Sequence, residues 1–383
     1  MSVRLGTPRL REQASLPEQT ARTVSSELAQ RAGAAPESGP LRDSFGRSGE
    51  DLRISLTDKC NLRCTYCMPA EGMQWMPQSA LLSPEEIVRL VTIGVRDLGV
   101  RELRLTGGEP LIRRDLEEII GLVNARHPAL PVSITTNGIG LADRAAGLAA
   151  AGLRRINVSL DTIDAETYRQ LARRDRLQQV LDGISAAVAA GLTPVKINAV
   201  LMRGVNDGQA AGLLDFALAR GLELRFIEQM PLDGDHGWTR ANMVTAEEIR
   251  TQLSAHWDLI ADDVPRGGAP AQRWRVYPHA STASGTVGEP LGRVGIIASV
   301  TEPFCGDCTR TRITAEGKIR SCLFSHEEFD LSLLLRSDAG DEAVGQAWRQ
   351  AMWLKPRAHG MGRPGLDSDE YVQPERSMSA IGG

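Results

Sequence analysis

From Leu52 onward, short apolar runs alternate with longer stretches whose apolar residues recur every three or four positions. The first pattern predicts strands at Leu52–Leu56, Glu102–Leu105, Val132–Thr135, Arg155–Leu160, Pro194–Leu201 and Glu223–Glu228. The second predicts helices between them, over Arg114–Arg126, Ala142–Ala151, Leu177–Ala190 and Asp207–Arg220. Another helix starts after Ser83, an N-cap followed by Pro84 at the first helical position. Gly152, Gly191 and Gly221 fit helix stops. Six β–α units in succession predict a parallel α/β sheet, an incomplete (β/α)6 barrel with its active site at the C-terminal strand ends.

Beyond Met230 the alternation loosens. A helix is expected at Thr245–Ser254, strands at Gln272–Tyr277 and Arg293–Ser299, and a hairpin joining Thr309–Thr314 to Lys318–Phe324. Two helices follow, Leu331–Arg336 and Glu342–Trp353. Residues 1–44 are rich in Ala, Ser, Glu, Arg, Pro and Gly without apolar periodicity, which predicts a mostly disordered arm with room for a short helix near Gln19–Arg31. The expected division is therefore an arm (1–44), a partial barrel (45–232) and a smaller C-terminal α+β domain (233–383).

Composition narrows the function. Of the 383 residues, 42% are hydrophobic and 24% charged, as in soluble globular proteins. The net charge of −4 offers no basic field for nucleic acid. No run is apolar enough for a membrane span, and no signal-peptide core stands at the N-terminus. Six cysteines in so long a chain suit metal-bound thiolates in a reducing cytoplasm better than a disulfide framework. Only four lysines stand among the 44 Lys and Arg residues, so Lys196, inside an apolar strand, stands out; a structural ion pair is its plain explanation.

Cys60, Cys64 and Cys67 stand as Cys-x3-Cys-x2-Cys. Iron–sulfur clusters usually take four thiolates; three with no fourth nearby point to a cubane with one open iron, and the spacing is unusual for zinc. Gly107-Gly108-Glu109-Pro110 follows the next predicted strand. A second triplet, Cys305, Cys308 and Cys322, again lacks an obvious fourth thiolate. On spacing alone His326 leaves a structural zinc site open there. Directly after Cys308, Thr309-Arg310-Thr311-Arg312 would put two guanidiniums on one face of a strand, which suits a polyanion such as a triphosphate.

The first triplet, with Tyr66 before its last cysteine, resembles the signature of the radical S-adenosylmethionine (SAM) superfamily. The run Arg53–Cys60, Arg104–Leu111, Thr135–Gly138, Asn157–Asp161, Arg225–Pro231, Cys305–Arg312 and a terminal Gly-Gly resembles the GTP 3′,8-cyclase (molybdenum cofactor biosynthesis protein A) family, from about residue 45 to the end. The resemblance implies a radical SAM lyase that turns GTP into 3′,8-cyclo-7,8-dihydro-GTP, the first step of molybdopterin synthesis. It implies two [4Fe-4S] clusters, on Cys60, Cys64 and Cys67 and on Cys305, Cys308 and Cys322. Tyr66, Gly108, Ser159 and Met230 would contact SAM. Arg53, Arg104, Thr135, Lys196, Arg225, Arg310 and Arg312 would bind GTP, and Gly382-Gly383 would reach back into the active site. An electron donor and cyclic pyranopterin monophosphate synthase are the implied partners, and the chain would be a monomer or homodimer. A radical SAM peptide-modifying enzyme and a non-enzymatic, metal-bearing RNA-binding module are the alternatives.

Overall fold

A computed structural model describes residues 30–279, 288–359 and 373–381. Gly382 and Gly383, residues 1–29 and so most of the expected Gln19–Arg31 helix lie outside the described residues.

The six β–α units form as the periodicity predicts, each boundary within a residue or three. They are β1 (Asp51–Ser55), α1 (Pro84–Asp97), β2 (Glu102–Thr106), α2 (Leu116–Arg126), β3 (Val132–Thr136), α3 (Leu141–Ala151) and β4 (Arg155–Ser159). Then come α4 (Ala165–Ala172), α5 (Leu177–Ala189), β5 (Val195–Val200), α6 (Ala210–Leu218) and β6 (Glu223–Ile227). Ser83 caps α1 in a full capping box with Glu86. Gly152 ends α3 at φ +108°, in the left-handed region. Helix α4 has no counterpart in the predicted elements; Asp164 caps it by accepting from the Thr167 amide.

Strands β1 to β6 pair in order and in parallel. Their alternate residues divide the sheet. Leu52, Ile54, Leu103, Leu105, Ile134, Ile156, Val158, Ile197, Leu224 and Phe226 lie in one buried cluster with Ile87, Leu90, Ile119, Leu148 and Ile184 from the surrounding helices. The intervening positions, among them Arg53, Arg104, Ser133, Asn157, Lys196 and Arg225, form the opposite, polar face.

The C-terminal residues extend this same sheet at both edges. After α7 (Ala246–Ser254), β7 (Trp257–Ala261), β8 (Gln272–Pro278) and β9 (Gly292–Ile297) continue from β6, with β9 parallel to it and β8 and β7 antiparallel. At the other edge β10 (Arg310–Ile313) pairs parallel to β1 and is followed by the antiparallel β11 (Lys318–Arg320) and β12 (Phe329–Asp330). The six expected parallel strands thus stand inside a longer twelve-stranded sheet. Three short or long helices complete the described chain: α8 (Ser332–Leu335), α9 (Asp341–Trp353) and α10 (Met378–Ile381).

The expected arm is corrected at its C-terminal end. Leu41 is fully buried, and its amide donates to the Leu98 carbonyl at 2.9 Å. Arg349 on α9 donates to the Gly39 carbonyl at 2.9 Å. One leucine in a polar stretch shows no periodicity, so its anchoring role was invisible to pattern.

Candidate functional site

The first cysteine triplet occupies the loop after β1. Two neighbouring segments shape that loop. Helix α4 presents its last carbonyls, so that Leu171 accepts from the Thr65 amide at 3.0 Å and Ala172 from the Arg63 amide at 3.1 Å. From the other side comes the glycine turn after β2. The Gly108 amide donates to the Thr57 carbonyl at 2.7 Å and the Glu109 amide to the Lys59 carbonyl at 2.8 Å. A Cβ on Gly108 would stand 2.3 Å from the Lys59 carbonyl oxygen, so only glycine permits this approach. The Glu109 carboxylate, fully buried, accepts from the Leu111 and Asn137 amides and the Thr136 hydroxyl, tying the β2 turn to the β3 turn. Burial pushes its carboxyl up to about 7 despite these donors.

The three thiols are close enough to act on one another electrostatically. Burial first, then Asp161 and the other two cysteines, push Cys64 up; burial and Cys60 push Cys67 up to about 12. Protonated thiols in apolar surroundings are the expected state of such a site until a metal centre takes the thiolates. The Leu62 amide at 3.4 Å and the Asn137 amide group at 3.7 Å donate to the Cys60 sulfur, the kind of N–H···S contact that tunes a cluster. Tyr66 donates to Asp161 at 2.7 Å, just past β4, where Ser159 ends the strand on the polar face. Met230 stands beyond the end of β6. The described end of the chain covers this region: Ser377, Ser379 and Ile381 are buried, the Ser377 hydroxyl lies 3.2 Å from the Met73 sulfur, and the Ser379 amide reaches the Cys67 thiol.

The arginines expected to bind an anion come together through strand register. Arg312 on β10 is paired with Arg53 on β1, and Arg53 with Arg104 on β2, so three arginines stand side by side on the polar face. Arg310 precedes them on the same face, over the Phe304 ring at 4.6 Å. Asp51 lies among the four guanidiniums. Burial alone would raise its carboxyl, but Arg53, Arg104, Arg310 and Arg312 outweigh that and hold it at about 2. Burial and the neighbouring Arg53 lower Arg104 to about 9, and burial with Arg53 and Arg310 does the same to Arg312. The buried Nε atoms of Arg53, Arg104, Arg225 and Arg312 have no hydrogen-bond partner. Orphaned donors on one polar face, three of them in a single row, are what an acceptor-rich anion would satisfy.

Further round the sheet, Thr135 accepts from Asn157 at 3.3 Å, and Asn157 accepts from Arg225 at 2.6 Å. Lys196 pairs with Glu223 at 2.5 Å, the structural partner its strand position called for.

The second triplet starts in a short turn before β10, and Cys322 follows β11. Burial raises Cys305, and Cys322 and Cys308 add to it. Cys308 goes the other way: Arg310, Lys355 and the Arg310 amide outweigh burial and bring it down to about 6. Among the described residues no three His, Cys, Asp or Glu side chains close around a single ion position. Three residues missed by sequence reasoning support this loop. Arg47 donates to the Cys305 carbonyl at 2.5 Å, Lys355 to those of Cys308 and Arg310, and Glu228 fixes the approach to the loop by accepting from the Val300 and Thr301 amides. Arg47 and Lys355 carried no spacing signal; Glu228, an acid closing the predicted strand Glu223–Glu228, did.

Residues 54–217 match the sequence model of the Radical SAM superfamily, and residues 222–361 that of Molybdenum Cofactor Synthesis C. A GTP 3′,8-cyclase of Paenarthrobacter nicotinovorans is 63% identical over 343 residues, 90% of this chain and 97% of its own. The GTP 3′,8-cyclase of Mycolicibacterium smegmatis is 54% identical over 351 residues, 91% of this chain and 93% of its own. Among solved structures, Streptococcus suis SuiB superposes with a TM-score of 0.52 at 14% identity, over 85% of this chain and 68% of that one, a likeness of fold alone. The two matched regions, the paired cysteine triplets and the identity to these relatives agree: the chain belongs to the GTP 3′,8-cyclase family of radical SAM enzymes.

Proposed function

We propose that this chain is a GTP 3′,8-cyclase in which the in-register row Arg312–Arg53–Arg104 holds the triphosphate of GTP. The orphaned guanidinium donors of that row carry the reading. With SAM and two [4Fe-4S] clusters bound, the site has the one-electron chemistry to remove the 3′ hydrogen of GTP and join C3′ to C8. Cys60, Cys64 and Cys67 would hold the cluster that meets SAM, beside Tyr66, Gly108, Ser159 and Met230. Cys305, Cys308 and Cys322 would hold the second, near the guanine.

The chain's own residues bind, orient and seal. Arg310 extends the cationic row toward the second triplet, and Arg225 and Thr135 face the same polar lumen through Asn157. Lys196 would exchange part of its Glu223 pairing for the nucleotide. Several guanidiniums on rigid strands fix a flexible triphosphate, so the ribose is presented in one orientation. The buried tail from Ser377 to Ile381, whose Ser379 amide meets Cys67, would close the lumen there, and Gly382-Gly383 would extend it inward. No helix among the described residues is long and apolar enough to cross a membrane. Six free cysteines suit a reducing cytoplasm, with an electron donor upstream and cyclic pyranopterin monophosphate synthase taking the product.

The test is anaerobic incubation with SAM, dithionite and GTP, followed by chromatography of the nucleotides. The reading expects a new nucleotide of the same mass as GTP but different retention, formed only when all three are present. Deoxyadenosine formation with unaltered GTP would contradict it.

A further inference from the structure

The loop after α9 carries one of the chain's four lysines into the second cysteine site. Lys355 is only 3% exposed. Its Nζ donates to the carbonyls of Cys308 at 3.1 Å and Arg310 at 2.7 Å. An ammonium has three donors, and here two end on neutral oxygens. Among the described residues no carboxylate lies within ion-pair distance of it. Arg47, which grips the same loop at the Cys305 carbonyl, differs in this respect: Asp43 balances its charge at 2.5 Å. A buried cation without a counter-charge is costly, and fold stability alone gives no reason to keep one. The groups beside it that can carry a negative charge, once they bind metal, are the cysteines Cys308 and Cys322.

We infer that Lys355 is the counter-ion of the second iron–sulfur cluster, held by the Cys308 and Arg310 carbonyls and favouring the cluster's reduced state. The inference rests on the two-cluster reading above. Adding one electron makes the cluster more negative, and a fixed cation in a low-dielectric site stabilises that form more than the oxidised one. Lys355 touches no substrate in this scheme; it is a positioning and tuning residue.

The experiment compares the full chain with Lys355→Met and Lys355→Arg after anaerobic reconstitution. Iron and sulfide are counted, and each cluster is titrated against poised potential by electron paramagnetic resonance. A Cys60→Ala/Cys64→Ala/Cys67→Ala background isolates the second signal. At the potential that half-reduces the unsubstituted second cluster, Lys355→Met is expected to lower the reduced-to-oxidised ratio at least tenfold, about 59 mV for a one-electron couple. Lys355→Arg should stay within about twofold, which the same relation makes a shift under about 20 mV. The first cluster's potential should not move. Loss of the second cluster in Lys355→Met with retention in Lys355→Arg also supports the role of charge. Full iron with an unmoved potential in Lys355→Met overturns the inference, as does an equal change in both variants. A parent chain holding about four iron instead of about eight overturns the two-cluster reading itself, a distinct result.

Discussion

Arg53, Arg104 and Arg312 come from three segments far apart in sequence, and strand pairing alone makes them neighbours. Each sits at an alternate strand position, which the sequence displays; that the positions fall in one row depends on register, which it does not display. Arg312→Ala should remove a charge-assisted contact of ~1.5–3 kcal/mol, weakening GTP binding roughly tenfold to a hundredfold. Equilibrium dialysis with radiolabelled GTP, at unchanged iron content, measures this, and an unaltered Kd counts against the row. Asp51 supplies the row's buried negative charge. Its carboxyl is lower in the fold, about 2, than the usual value near 3.9 in an unfolded chain. The stability it contributes is therefore complete above about pH 5 and lost as pH falls through the folded value near 2, about 2.6 kcal/mol in all. Thermal melts from pH 2 to 7 should show Asp51→Asn less acid-sensitive than the parent over that window; identical slopes would remove Asp51 from the account.

At the scale of elements, the loop bearing Cys60, Cys64 and Cys67 is shaped by its neighbours. The glycine turn was legible as a place where backbone comes close to something. The structure identifies that something as the Asp58–Lys59 backbone, at 2.5 and 2.3 Å from a Cβ on Gly108. Helix α4 was not legible. Eight residues with an Asp cap, two turns long, give too short a window for a 3.6-residue period to emerge. Yet its Leu171 and Ala172 carbonyls fix the far side of the loop. Gly108→Ala should displace the loop and lower bound iron from about eight to about four per chain, with the second cluster kept. Retention of all the iron would mean the glycine turn does not position the triplet.

The described strands all join one sheet, and its extent was the least legible feature. The β–α alternation specifies β1 to β6 because each unit is local. The pairing of β10 with β1 and of β9 with β6 joins residues roughly 70 to 260 positions apart, and no local pattern encodes it. That pairing brings the second cysteine loop beside Arg53, so both triplets belong to one architecture. Residues before β1 also contribute. Leu41→Ala should cost ~2–5 kcal/mol, the range for a fully buried leucine, read as a lower denaturant midpoint. A midpoint unchanged from the parent would restore the segment to a free arm. The central claim is that GTP is held with its 3′ C–H bond at the site of radical formation. The most direct measurement is anaerobic turnover of GTP carrying deuterium only at C3′, with mass analysis of the deoxyadenosine formed. The account predicts that deoxyadenosine gains the deuterium while a nucleotide isomeric with unlabelled GTP appears in step, its C3′ deuterium replaced in the mass balance by a solvent proton; unlabelled deoxyadenosine, with the deuterium still in the nucleotide, would contradict it.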